Sequence, residues 1–240
     1  MATVSESQLE QLFQRAHASH ISEAEFYTRL MQAMVYVHVP VYDDCKNVRL
    51  IQFRHPSGFD VIPLFTSAER CARAGSNAVE ALRLPCIDLL NATRGATLMI
   101  NPNDGGPLLY PEEIAVLLEK GTLETFEKLD QAGSCDVRPA MNPPDNIVDA
   151  LRAGATSTTF IKDVYLLEKR EAGSDETMLF VYVGACTTHL ERAARHMIQV
   201  LQNLSPPPQV AIDVAVYDTT QAPPEFLKHI GAVAMFVRTI

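Results

Sequence analysis

The sequence lacks the features that most often identify a membrane protein or a nucleic-acid-binding protein. It has no run of about 18 apolar residues, which a membrane-spanning helix needs, and its start, MATVSESQLEQLFQ, has no basic region followed by an apolar one. Basic residues number 20 against 29 acidic ones, which gives a formal charge of −9, and no basic stripe stands out. Because lysine and arginine supply most of the affinity for nucleic acids and for anionic membranes, we expect the protein to bind neither. The lack of a signal peptide and of a spanning segment predicts a cytoplasmic location.

Cysteines are also few, and their spacing argues against two kinds of site. There are five, Cys45, Cys71, Cys86, Cys135 and Cys186, with no C-x-x-C pair among them. An odd and widely spaced set suits neither a disulfide framework nor a zinc cage. We therefore expect no metal and no cofactor, and we expect most of the cysteines to be reduced and to pack as small hydrophobic residues.

What is present indicates two folded domains. Hydrophobic residues make up 47% of the 240-residue chain and charged residues 20%, as in ordinary globular proteins. Residues 131–144 contain three prolines and a glycine without hydrophobic periodicity, which is typical of a linker. The sequence predicts one domain over residues 1–130, a linker over 131–144 and a second domain over 145–240.

Both predicted domains mix helices with antiparallel strand pairs. In the first, a capping box at Ser22 and Glu25 predicts a helix that buries Met34, and Thr66 with Glu69 predicts a helix after a hairpin. In the second, a hairpin precedes the amphipathic helix THLERAARHMIQVLQNL and the strand VAIDVAVYD. Neither half shows the regular alternation of strand and helix found in nucleotide-binding sheets, so the predicted fold class is α+β.

Three segments of the first half resemble one protein family. EFYTRLMQAMVYVHVP, VIPLFTSAERCARA and ATLMINPNDGGPLLYPEEIAVLL are similar, in order and spacing, to the N-terminal domain of the SseB ("enhanced serine sensitivity") family. The second half is similar to the C-terminal domain of that family. The resemblance implies a cytosolic bacterial protein with two α+β domains and a link to serine tolerance, and it supplies no catalytic residues. A secretion translocon component shares the SseB name, but this chain lacks the long helices expected of a translocator.

The loop between the predicted strand ATLMI and the predicted helix PEEIAVLLEK is the most site-like stretch of the chain. Its spacing partly matches a calcium-binding EF-hand loop, with Asn101 first, Gly106 sixth and Glu112 twelfth. However, Gly105 stands where a side-chain oxygen is needed, and a strand rather than a helix enters the loop. Glu112 and Glu113, in the first turn of the following helix, would also repel a phosphate.

The favoured interpretation of this loop is a tight turn between a strand and a helix. The remaining alternative is a contact with a protein or a ligand through the loop backbone and Tyr110. Under that alternative, the candidate binding residues are Asn101, Asn103, Gly105, Gly106 and Tyr110.

Two groups of residues that include histidine carry weaker hypotheses. His55, Ser57 and Asp60 could suggest a hydrolase triad, but they share one turn, whereas a nucleophilic serine needs a separately held base and an oxyanion hole. His17 and His20 lie one turn apart and could provide two metal ligands, yet the spacing suggests no third ligand.

Cys186 is the candidate reactive thiol. It ends a predicted strand just before a helix that Thr187 or Thr188 would cap, and a thiol at a helix N-terminus can have a lowered pKa. Its small apolar neighbours in V-G-A-C favour a buried packing cysteine instead.

The leading hypothesis for function is a non-enzymatic adaptor or regulator that binds an unidentified protein partner. The alternative is an enzyme or a binder of small metabolites such as amino acids, with its site between the domains, and a third is an accessory factor of a secretion system. The oligomeric state is left open. Dose-dependent thermal stabilisation by amino acids or nucleotides separates the metabolite hypothesis from the adaptor hypothesis.

Overall fold

The computed structural model describes residues 4–16, 20–41, 48–123, 135–171 and 176–238 of the chain. Contacts between residues divide the chain into two compact units, Met1–Glu127 and Lys128–Ile240. Each unit combines helices with sheets, so the α+β fold class is confirmed. Within the described ranges, no helix is both long and apolar enough to cross a membrane.

The first unit begins with two helices and continues with short strands and helices in alternation. Its elements are α1 (Glu6–Ala16), α2 (His20–Leu30), β1 (Met34–Pro40), β2 (Phe53–Arg54), β3 (Asp60–Leu64), α3 (Ala68–Ala74), β4 (Val79–Pro85), α4 (Cys86–Ala92), β5 (Thr97–Ile100), β6 (Leu108–Leu109) and α5 (Pro111–Lys120). The apolar face of α1, which carries Leu9, Leu12 and Phe13, is buried in the core of this unit, as its helical spacing predicts.

Two sheets form in the first unit. One has the strand order β2-β3-β5-β6, and the other is the antiparallel pair of β1 with β4. A bridge between Tyr36 and Phe65 connects β1 to the end of β3. β3 and β5 are parallel, because the segment from α3 to α4 carries the chain back to the same end of the sheet. The sequence analysis did not predict this pairing.

The second unit contains one five-stranded sheet with helices packed on it. Its elements are β7 (Cys135–Pro139), α6 (Asp145–Ser157), β8 (Ile161–Glu171), β9 (Thr177–Ala185), α7 (Leu190–Gln202), β10 (Ile212–Asp218), α8 (Glu225–His229) and β11 (Phe236–Val237). The strand order is β10-β9-β8-β11, and β7 pairs with β8 beside β11. The predicted hairpin of β8 and β9 and the predicted helix α7 are confirmed.

The sheet of the second unit has two different faces. Alternate apolar residues of β8, β9 and β10, among them Val164 and Val181, form a core with α6 and α7. The opposite face carries Leu167, Phe180 and Tyr182 and packs against α8. Because α7 connects β9 to β10, these two strands are parallel.

Several predicted details of the first unit are wrong. Helix α2 begins at His20, so Ser22 lies inside it, and Met34 is the half-buried first residue of β1. The cap of α3 is Ser67, whose Oγ accepts a hydrogen bond from the Arg70 amide at 3.4 Å. Thr66, the predicted cap, precedes the true cap by one residue, and its hydroxyl bonds instead to Glu10 and to the Asn101 side chain.

Part of the predicted linker is structured. Cys135–Pro139 form β7, which pairs antiparallel with the end of β8. This strand lies at the edge of the sheet and is exposed at most of its positions. It therefore lacks the apolar alternation by which a strand is recognised in a sequence.

Candidate functional site

The predicted binding loop of the first unit joins β5 to β6, and its first residue is held by internal hydrogen bonds. Asn101 is fully buried and has left-handed backbone geometry, with φ 45°. Its Oδ1 accepts a hydrogen bond from the Thr66 amide at 3.0 Å, and its Nδ2 donates to the Thr66 hydroxyl at 2.7 Å. The side chain of Asn101 thus fastens the loop to the start of α3.

Ion pairs hold the same loop to α3, and α3 to α1. The Arg73 guanidinium donates to both carboxylate oxygens of Asp104 at 2.7 Å, and Arg70 also pairs with Asp104. The Nε of Arg70 donates to Glu10 of α1 at 2.6 Å. Glu10 in turn accepts a hydrogen bond from the Thr66 hydroxyl. The network connects α1, α3 and the loop. Its charged side chains bind one another, although their types would also suit a ligand site.

The five predicted binding residues share this loop region but differ in exposure. Gly106 and Tyr110 are buried, like Asn101, whereas Asn103 and Gly105 are exposed. The Tyr110 amide donates to the Glu113 carboxylate at 2.9 Å and thereby begins α5. Only the tip of the loop is therefore open to a partner.

The disfavoured calcium interpretation of this loop would need carboxylate oxygens that are available to a cation. Asp104, the acidic residue of the loop, is paired with arginines. In the described part of the chain, no three His, Cys, Asp or Glu side chains are grouped so that they could hold a metal ion.

The histidine hypotheses also have structural outcomes. The Nδ1 of His55 accepts a hydrogen bond from the Ser57 amide at 3.2 Å, and Asp60 pairs with Arg54 at 3.1 Å instead of with His55. These contacts belong to the turn between β2 and β3 and do not form a triad. His17 and the side chain of His20 lie outside the described residues.

The cysteines differ in their surroundings. Burial raises the pKa of Cys71 to about 11 and that of Cys86 to about 12, so both thiols stay protonated and unreactive at neutral pH. Cys186 is half-buried just before the 3₁₀ turn Thr187–His189, with its Sγ 3.2 Å from the Thr188 hydroxyl. Cys135 is exposed on β7, and Cys45 lies outside the described residues.

A feature that the sequence analysis missed is the position of the predicted strand β10 at the edge of its sheet. Within the described ranges, β10 pairs with β9 and with no other strand. The Ala211 carbonyl accepts a hydrogen bond from the Leu179 amide, and the Thr219 amide donates to the Ala185 carbonyl, each at 2.9 Å. In a parallel ladder, each residue directs its N–H and its C=O to the same side of the strand, and successive residues alternate between the two sides. The odd-numbered residues of β10 therefore bond to β9.

The even-numbered residues of β10 consequently direct their backbone groups away from the sheet. They are Ile212, Val214, Val216 and Asp218. Three of the four are β-branched and apolar, and their side chains lie half-buried on the face that α7 covers. The other edge of the sheet, along β8, is covered by β7 and β11. The outward amides and carbonyls of β10 form a row that another strand could extend.

Two side-chain bonds hold β10 in place by reaching across β9 to β8. At one end, the Tyr217 hydroxyl donates to Asp163 Oδ1 at 2.7 Å. At the other end, the Lys169 ammonium donates to Asp213 Oδ2 at 2.8 Å, and Lys169 is only 2% exposed. Since Asp213 and Tyr217 point to the same face of the sheet, their side-chain bonds do not occupy the outward backbone groups of β10.

Gly184 makes the first of these bonds possible. It stands on β9 in register between Asp163 of β8 and Tyr217 of β10. A Cβ at this position would lie 2.3 Å from Asp163 Oδ1 and 2.7 Å from the Thr219 methyl carbon. Only glycine leaves space for the tyrosine and the aspartate to meet above the middle strand.

Aromatic stacking strengthens the same end of β10. The Tyr182 and Tyr217 rings are stacked with centroids 5.1 Å apart, and Phe226 of α8 packs edge-on against Tyr182 at 5.4 Å. Burial raises the pKa of the Asp163 carboxyl, against the opposing effect of the Tyr217 hydroxyl, and burial also raises the pKa of Tyr217 itself. The cluster therefore ties this end of β10 to β9 and α8.

Comparisons with known proteins give one family. Residues 9–116 match the family model described as the SseB protein N-terminal domain. Two curated proteins called Protein SseB, one from Escherichia coli (strain K12) and one from Shigella flexneri, are each 23% identical to the chain over 189 residues, which cover 75% of this chain and 72% of theirs. No solved structure matches the chain.

Proposed function

The chain belongs to the SseB family through its N-terminal domain, and from that premise we propose that it is a non-enzymatic cytoplasmic adaptor that works by binding protein. The surface that we assign to this role is the open edge of β10. A strand added there would form main-chain hydrogen bonds, which give affinity with little demand on the sequence of the partner.

The observation that carries this proposal is the rigid fixation of the edge. The bonds from Tyr217 to Asp163 and from Lys169 to Asp213 hold β10 on the sheet at both ends. A preorganised strand loses less conformational entropy when a partner binds than a mobile one does. Long apolar edges are a liability that proteins usually blunt, so a long edge that is both apolar and fixed suggests a use.

The charged residues of the other candidate site support the same proposal. Around the loop of the first unit, Arg70 and Asp104 are engaged with each other and with neighbouring side chains. They maintain the fold there, whereas the outward backbone groups of β10 face no other strand of the described part of the chain.

The test compares two substitutions at one position of β10. Val214→Pro removes an outward N–H without removing a bond to β9, and edge strands tolerate such a proline. Val214→Ala loses a similar amount of side-chain packing but keeps the N–H. We expect tagged wild-type protein and the Val214→Ala variant to capture the same proteins from the cytosol of the source cells, and the Val214→Pro variant to lose them.

Identical capture by all three proteins would contradict the proposal. A thermal-shift series with L-serine, other amino acids and nucleotides provides the second arm of the test. We expect no dose-dependent stabilisation, whereas a reproducible one would favour the metabolite hypothesis over the adaptor hypothesis.

A further inference from the structure

We infer that the strand which pairs with β10 is β10 of a second copy of this chain, so that the protein is a two-fold symmetric dimer. This inference rests on the proposed function, because it names the occupant of the same edge. It follows from the pattern of outward residues along the strand, which is complementary to itself when one copy is turned end to end.

The backbone groups of β10 match in one symmetric register. If two copies pair antiparallel about a two-fold axis at Ala215, Val214 lies opposite Val216 of the other copy, and Ile212 lies opposite Asp218. Each of these residues directs its amide and carbonyl outward, as the hydrogen bonds of Ala211 and Thr219 to β9 establish. Residues with outward groups form the hydrogen-bonded pairs of an antiparallel ladder, so this register engages all of them.

The side chains fit the same register. On the face covered by α7, the valines at 214 and 216 meet each other, which extends the apolar core of each copy across the axis. At the axis itself two Ala215 residues face each other in the closest type of antiparallel pair, where a small side chain is needed.

Charges do not oppose this pairing. Asp213 lies opposite Tyr217 of the other copy, and its carboxylate is already paired with Lys169. Asp218 lies opposite Ile212, and its carboxylate accepts hydrogen bonds from the hydroxyls of Thr187 and Thr220. No acidic residue of β10 therefore faces another acidic residue, despite the net charge of −9.

The first test measures the mass of the full-length protein in solution by sedimentation at concentrations from about 1 to 100 μM, a range that brackets ordinary dimer affinities. We expect a dimer for the wild type and for Val214→Ala, and a monomer for Val214→Pro. A monomeric wild type throughout this range, or a Val214→Pro variant that stays dimeric, would overturn the inference. Circular dichroism of each variant shows whether it has folded.

A disulfide test fixes the register and needs no proline. In a chain with Cys45 and Cys135 replaced by serine, Ala215→Cys should form an intermolecular disulfide under mild oxidation, because facing residues of a non-hydrogen-bonded pair lie within bonding reach. Val214→Cys is the matched control, since residue 214 faces residue 216 and not itself. Equal cross-linking at both positions, or none at 215, would contradict the register.

The two proposals can fail separately. If the wild type is monomeric and residue 215 does not cross-link, but Val214→Pro still abolishes the capture of another protein, the second copy is excluded and strand addition by a different partner stands. If Val214→Pro changes neither mass nor capture, the proposed function fails as well.

Discussion

The two units each contain a seven-residue strand that is paired on one side within the described residues, and the two strands are built differently. β4 of the first unit pairs with β1, and β10 of the second pairs with β9. The Cys86 amide and the Ala78 carbonyl point toward β1, so the odd-numbered residues of β4 face outward. One of these is Pro85, which has no N–H, and exposed Glu80 and Arg83 flank the edge.

The outward side of β10 has no proline, and its one charged residue, Asp218, stands at the end of the strand and accepts hydrogen bonds from the hydroxyls of Thr187 and Thr220. Its outward residues all keep an N–H, and its other acidic residue, Asp213, lies on the face of the sheet and pairs with Lys169. Charge and proline are common devices that prevent strands from pairing with other chains. The comparison teaches that β4 carries the features of a protected edge, whereas β10 has the features expected of the edge that we propose pairs with another chain. The predictions that follow alter the features that separate them.

The largest effect is expected from filling the space above β9. In Gly184→Ala, the new Cβ would clash with Asp163 and Thr219, and the bond that fixes Tyr217 would be displaced. We expect the sheet of the second unit to lose about 2–3 kcal/mol of stability, as overpacked sites commonly do. Native-state hydrogen exchange of the β9 amides measures this loss.

Gly75→Ala in the segment before β4 is the control for this substitution. There the nearest atom to a new Cβ is His38 Nε2 at 3.4 Å, an ordinary contact. We expect its effect to remain within about 0.5 kcal/mol, as at most tolerant sites. A similar cost at both glycines would remove the special role given to position 184.

A smaller loss is expected when the other fixation of β10 is removed. Lys169→Met removes the ammonium group that lies over the Phe180 ring and pairs with the Asp213 carboxylate. Because Asp213 is partly exposed, we expect a cost of about 2 kcal/mol, below the range for fully buried pairs. Exchange of the β10 amides should increase more than exchange of the β8 amides.

Arg54→Met provides the matched comparison in the first unit. The ion pair of Arg54 with Asp60 joins β2 to β3, and its side chains are 67% and 60% exposed. Surface pairs of this kind contribute about 0–1 kcal/mol. If the loss of Arg54 were as costly as that of Lys169, the fixation of β10 would not be special.

The smallest effect is a dependence on pH. Burial raises the pKa of Asp163 in the folded protein. A carboxyl with a raised pKa contributes its full stability below the pKa of the unfolded chain, and this contribution is lost as the pH rises through the folded pKa. Asp163→Asn keeps an oxygen for Tyr217 but does not titrate. The stability of this variant relative to wild type should therefore increase between pH 4 and pH 7.

Urea unfolding at several pH values within that range measures the difference between the two proteins. A difference that stays constant with pH would show that Asp163 has the same pKa in both states. A difference that falls as the pH rises would reverse the assigned direction.

The elements of the second unit, apart from β7, were predictable from local pattern. Helix α7 has apolar residues at regular helical spacing, and β10 is a β-branched run, so both are identified from the sequence alone. The pairing of β10 was not predictable, because it depends on contacts such as that of Tyr217 with Asp163, which lie 54 residues apart. The available signal was the placement of Asp213 and Tyr217 on one face of an otherwise apolar strand.

The loop of the first unit shows what residue types alone do not tell about a candidate site. Asn, Asp and Gly favour tight turns for the same reasons that they suit ligand sites: short polar side chains and freedom to adopt left-handed geometry. Only the fold reveals that the side-chain amide of Asn101 bonds to Thr66 and that Asp104 pairs with Arg70 and Arg73. The residue types were informative about the turn, and the availability of their polar groups was not encoded locally.

Amide hydrogen exchange along β10, resolved by NMR at low and high protein concentration, tests the central claim most directly. We predict that Asp213, Ala215 and Tyr217, whose amides bond to β9, are protected at every concentration. The amides of Ile212, Val214 and Val216 should exchange rapidly in dilute protein and become protected as the concentration rises. Equal protection of both sets in dilute protein, or even-numbered amides that stay unprotected when concentrated, would contradict the assignment of β10 as an open edge that pairs with another copy.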